Sequence, residues 1–68
     1  MKEIGTVKWY SDAKGYGFIV RERGADVFVH HASIIGAEPR TLHKGDRVSF
    51  EVVEGFKGLQ AKEVSRIQ

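Results

Sequence analysis

Two stretches carry the residue types that do chemistry in this chain: Lys14-Gly15-Tyr16-Gly17-Phe18-Ile19-Val20 ("KGYGFIV") and Asp26-Val27-Phe28-Val29-His30-His31 ("DVFVHH"). Both alternate large rings with aliphatic or glycine positions, and lysine and histidine border the rings. Successive side chains on a strand point to opposite faces. Tyr16 and Phe18 therefore share one face while Gly17 and Ile19 share the other, and Phe28 and His30 lie opposite Val27 and Val29. Flat rings on a rigid sheet offer stacking to unpaired nucleobases, at about 1 to 3 kcal/mol per base and with little regard for sequence. Lys8, Lys14 and Lys57 are placed to meet phosphates, and His30 and His31 to stack or hydrogen-bond.

The elements that must position these residues are short strands. Period-two patterning runs through most of the chain, and no amphipathic helix of ten residues stands out. Strands are expected at Gly5 to Tyr10, Tyr16 to Arg21, Asp26 to His30, Arg47 to Val53 and Leu59 to Ile67, the second and third joined as a hairpin through Glu22-Arg23-Gly24-Ala25. Glu54-Gly55-Phe56-Lys57-Gly58 reads as a second hairpin loop. Between His31 and Lys44 lies an irregular connection marked by Gly36, Pro39 and Gly45, with a helical turn at Ala32 to Ile35 and its Ile and Leu side chains tucked under the sheet. Five short strands in 68 residues favour an all-β closed barrel, because closure removes exposed edges.

Parity assigns the core to Val7, Ile19, Val27, Val29, Val48, Phe50, Val52 and Val64. Tyr16, Phe18 and Phe28 are left outside with His30. Each ring kept out of the core forgoes about 1.5 to 3 kcal/mol of burial, a large sum beside the roughly 5 kcal/mol that a small domain has in total. A lone aromatic at period two is ordinarily core or cross-strand packing. Here, burying these rings would expose Ile19, Val27 and Val29 instead, since a flip of one residue inverts every side chain. One apolar face stays uncovered either way, which marks a binding surface.

Composition sets the outer bounds. A chain of 68 residues is expected to form one domain, residues 1–68, with a modest core. There is no cysteine, hence no disulfide and no thiolate metal cluster. The apolar runs fall far short of the roughly 20 residues a membrane helix needs, so a soluble, cytoplasmic, monomeric protein without a membrane or obligate protein partner is expected. Its net charge is +2, and the excess lies in residues 1–24, where five basic residues face three acidic ones. That balance is compatible with a polyanionic partner.

The chain resembles the cold-shock domain family. "KWY" at Lys8 to Tyr10, "KGYGFI" at Lys14 to Ile19, which looks like the motif RNP1, and "VFVHH" at Val27 to His31, which looks like RNP2, stand in the family's order, and "GDRVSFEV" and "GLQAKEV" extend the likeness to essentially the whole chain. The resemblance implies a five-stranded antiparallel OB-fold barrel that binds single-stranded RNA and DNA. It implies contacts from Lys8, Trp9, Lys14, Tyr16, Phe18, Phe28 and His30, with Trp9 joining the stacking rings, and a role for Phe56, Lys57 and Gln60. An RNA chaperone active in cold-shock adaptation and in the regulation of transcription or translation is the expected function. Two positions depart from the pattern: His31 stands where the family usually has phenylalanine, and Pro39 stands near a loop position that often carries another aromatic.

Other chemistries fit less well. An RRM requires helices and an aromatic where this chain has Arg21. A metal site from His30, His31 and His43 is disfavoured, because neighbouring strand residues point to opposite faces and no cysteine or acidic ligand spacing accompanies them. No nucleophile elbow, phosphate-binding loop or paired-carboxylate motif is present, so no catalytic residue, metal or cofactor is expected. The remaining competitor is an SH3-like peptide-binding barrel. Such grooves commonly recruit acidic residues, whereas lysines and histidines border these rings.

Overall fold

The structure is a computed structural model that describes residues 2–36, 41–56 and 58–67. Five strands, β1 (Glu3–Ser11), β2 (Tyr16–Arg21), β3 (Val27–His30), β4 (Arg47–Gly55) and β5 (Gly58–Ile67), close into a barrel in the order β1-β2-β3-β5-β4. The expected all-β barrel is observed. Neighbours pair antiparallel except at the closing seam, where β3 meets β5 in parallel through Phe28 and Gln60. All five strands lie where alternation placed them, and β4 and β5 run on to a Gly55–Gly58 pair, so the expected loop tightens to a tip at Phe56. Pro39 and Lys57 lie outside the described residues.

Val7, Ile19, Val27, Val29, Val48, Phe50 and Val64 are buried together as expected, while Val52 packs on them half exposed. Ile34 and Leu42 join from the irregular connection and Ala61 from β5. Ile35 does not. It turns to solvent because a short 3-10 turn, His31–Ser33, delivers Ile34 to a bridge with Val64, and the next residue then points away while its N–H bonds to the Val64 carbonyl at 2.7 Å. Among the described residues no polar or charged side chain is buried. An apolar interior of this kind leaves all polar chemistry to the surface.

Two irregularities set which way side chains face. On β1, Val7 pairs with Ile19 but Trp9 pairs with Phe18, so Lys8 is an extra residue and the alternation slips by one. On β5, Ser65 and Lys62 face Ser49 and Glu51, and Glu63 takes a left-handed φ of 54°. That second bulge lets Ala61 and Val64, three apart, both enter the core. Lys2 Nζ donates to the Glu63 carbonyl and pairs with its carboxylate, each at 3.2 Å.

Candidate nucleic-acid interface

Tyr16 and Phe18 on β2 face His30 and Phe28 across the β2–β3 hairpin, and Trp9 on β1 faces Phe18. These registers bring four rings into a closed circuit. Trp9 lies 5.8 Å from Tyr16 and 5.6 Å from Phe18, and Phe28 lies 5.5 Å from Tyr16 and 5.8 Å from Phe18, centroid to centroid. Mutual packing leaves Tyr16, Phe18 and Phe28 half-buried, with Trp9 the most open at 37%. Edge and tilted contacts of this kind contribute about 0.5 to 1.5 kcal/mol per pair. Part of the burial each ring forgoes is thus recovered from its neighbours, and the outer surfaces remain open for a ligand.

Gly17 makes the inner side of this platform possible. It is buried opposite Tyr10, and a Cβ added there would sit 2.7 Å from the Tyr10 Cα and run into the Trp9 carbonyl oxygen. The absent side chain permits close approach of β1 and β2 just after the Lys8 bulge. Tyr10 fills the space on the core side. Burial raises its phenol above the ordinary value, and the Asp12 carboxylate adds to the rise.

Two of the expected cationic residues, Lys8 and Lys14, are exposed near the rings in sequence. The Lys8 side chain is exposed at the bulge and pairs with Asp26 at 3.2 Å. Lys14 is exposed in the turn between β1 and β2, where its N–H bonds to Ser11 Oγ at 3.2 Å. Gln60 lies beside Phe28 in the closing seam and folds its amide over Gly55, where a side chain would collide with it. Phe56 is fully exposed at the tip between β4 and β5, a ring without a burying neighbour.

The two histidines correct one expectation. They were assigned to opposite faces of a strand, but β3 ends at His30 and the 3-10 turn begins at His31, which swings the second ring alongside the first. Their centroids are 4.4 Å apart with the planes inclined by 35°. His30 Nδ1 accepts the Ala32 N–H at 3.1 Å, and the His31 N–H donates to the Gly15 carbonyl at 2.9 Å. Among the described residues no three metal-ligating side chains converge, and His43 instead lies 3.8 Å from Asp46.

Comparison with known proteins agrees with this geometry. A family model described as the 'Cold-shock' DNA-binding domain matches residues 3–67. The chain is 57% identical over 63 residues to the major cold shock protein CspA of Pseudomonas aeruginosa, covering 93% of this chain and 91% of that one. It is 51% identical over 63 residues to cold shock protein CspB of Bacillus caldolyticus, covering 93% and 96%. Among solved structures, drosophila Unr CSD456 superposes with a TM-score of 0.80 at 28% identity, over 100% of this chain and 27% of that one. The barrel, its outward ring circuit and these relatives place the chain in the cold-shock domain family, among the bacterial-type cold-shock proteins.

Proposed function

We propose that this protein binds single-stranded RNA and DNA by stacking bases on Trp9, Tyr16, Phe18 and Phe28, without catalysis. The observation that carries the reading is the closed circuit of four rings on the outside of a barrel whose core is already complete. Such a platform accepts any base with a free π-face and excludes duplex, whose bases are already stacked. Lys8 and Lys14 meet phosphates along its edge, with Lys57 in the same role. His30 and His31 extend the row, Gln60 reads a base edge beside Phe28, and Phe56 offers a further ring at the hairpin tip.

Binding of this kind traps strands that open transiently. The protein thereby acts as a monomeric cytoplasmic RNA chaperone, opposing secondary structure stoichiometrically and without a nucleotide cofactor. The relatives are named for cold shock, and stable RNA structure is the obstacle that cold strengthens. A role in cold adaptation, through transcription or translation, follows from that pairing.

The test is a fluorescence titration, since Trp9 is the only indole and a stacked base quenches it. Single-stranded DNA and RNA should quench strongly, duplex weakly and a proline-rich peptide not at all. Quenching by the peptide in place of the single strands would overturn the reading.

A further inference from the structure

We propose that a bound single strand leaves the ring circuit across the outer face of β2, β1 and β4, with a base held against Val20 and Thr6 and its phosphate met by Arg47. This rests on the nucleic-acid reading above and extends its footprint to residues outside the ring circuit.

Register places the three side chains in one row. Val20 pairs with Thr6, and Thr6 pairs with Arg47 on its other side. Their chain neighbours Ile19, Val7 and Val48 are buried in the barrel, so alternation turns Val20, Thr6 and Arg47 outward. Val20 also follows Phe18 by two residues on β2, on the face that carries Tyr16 and Phe18, about 7 Å further along the strand. The row continues the ring platform.

Its surface suits a base. Val20 is 41% exposed, and Ile4, two residues before Thr6 on β1, is 42% exposed, both slightly more open than Trp9. Aliphatic groups left in water gain by being covered with the flat face of a base. Arg47 is exposed at the far end of the row, and a planar guanidinium matches phosphate through paired N–H donors.

Charge selects a polyanion and gives it a direction. The turn before β4 is fastened to β1, since the Val7 N–H donates to the Asp46 carbonyl and the Gly45 N–H to the Val7 carbonyl, each at 2.9 Å. It sets Lys44 exposed beside the start of β4, and Arg66, also exposed, reaches the Asp46 carboxylate at 3.6 Å. Lys44, Arg47 and Arg66 thus gather about Asp46, a setting that attracts phosphate. The route straight on along β2 is less favourable. It enters a cleft of about 480 Å³ lined by Lys2, Glu3, Ile4, Arg21, Glu22 and Arg23. There Glu3 holds Arg21 through two bonds at 3.0 Å, Lys2 pairs with Glu63 at 3.2 Å, and the charge of Arg23 is offset by Glu22 next to it.

The experiment measures Kd by Trp9 quenching for oligothymidylates of about 4 to about 16 nucleotides, the span of site sizes for one OB barrel. For the longest strands, Arg47→Gln and Val20→Ser should each weaken binding by about fivefold, and Arg47→Gln should lower the slope of log K against log salt by about 0.7. For the shortest strands both variants should bind as the parent protein does, and Arg23→Gln, in the cleft, should match the parent at every length. In the unmodified protein, the amide resonances of Thr6, Val20 and Arg47 should shift with long strands and stay in place with short ones. Losses equal at all lengths, no loss at any length, or an Arg23→Gln loss as large as that of Arg47→Gln would overturn the proposal while leaving the stacking surface intact. Sedimentation in which Val20→Ser separates a dimer into monomers would overturn it too, by assigning the face to a second copy of the chain. Failure of the unmodified protein to bind strands of any length would overturn the stacking surface itself, and this proposal with it.

Discussion

Val7 and Trp9 are two residues apart on β1 and face opposite sides of the sheet. Val7 is 1% exposed within the barrel, and Trp9 is 37% exposed in the ring circuit. Strict alternation would give them the same face. The extra residue, Lys8, separates them, and its exposed ammonium pairs with Asp26. Gly17 is the partner of that irregularity, because its missing Cβ admits the Trp9 carbonyl.

Gly17→Ala should therefore destabilise the fold more than a surface substitution would. The obstructing atoms are backbone, which cannot rotate aside, so β1 and β2 must separate at the platform. A loss of about 3 kcal/mol in urea unfolding is expected. Unchanged stability would show that the strands do not approach closely there.

Phe18 and Phe50 should separate binding from folding. Phe50 is completely buried, and Phe50→Ala should cost about 3 to 5 kcal/mol of stability. Phe18 is half-buried on the outer face, so Phe18→Ala should cost less stability but weaken single-strand binding by about 1 to 3 kcal/mol. Unfolding curves and fluorescence titrations on both variants would distinguish them.

Asp26 pairs with Lys8 at 3.2 Å, and under the proposed function a phosphate has to displace it. Breaking their exposed pair is worth up to about 1 kcal/mol, so Asp26→Asn should tighten oligonucleotide binding by up to about fivefold at low salt. The gain should shrink as salt rises. Lys14→Gln should act the other way, reducing the slope of log K against log salt by about 0.7, the contribution of one phosphate on a single strand.

Phe56 has nothing to lose in the folded protein. Phe56→Ala should leave stability within about 0.5 kcal/mol while weakening binding to oligonucleotides long enough to reach the β4–β5 tip, by about 1 kcal/mol. Oligonucleotides too short to span from the ring circuit to the tip should bind the variant as they bind the parent protein.

Tyr10 makes stability sensitive to alkali. Its phenol is held above the ordinary value of about 10 by burial and by Asp12, so the folded state keeps a proton that the unfolded chain releases. The contribution is complete below about pH 10 and is lost as pH rises through the folded value. Tyr10→Phe should flatten that alkaline decline, measured as the denaturant midpoint against pH.

Alternation by itself determined most of the architecture. Ile19, Val27 and Val29 against Tyr16, Phe18 and Phe28 sorted inside from outside, because a strand has only two faces and one of them must form the core. Ring chemistry beside lysine then indicated the kind of ligand. Tertiary structure decided what a period of two cannot express. The Lys8 and Glu63 bulges break the period, and they determine that Trp9 joins the outer rings and that Ala61 and Val64 both reach the core. Ile35 and His31 depart from expectation because the helical turn expected at Ala32 to Ile35 is a 3-10 turn at His31–Ser33, which ends before Ile35, leaves that side chain in solvent and lays the His31 ring against His30. Bulges and short turns arise from backbone pairing between distant segments, so the local pattern of side chains carries little trace of them.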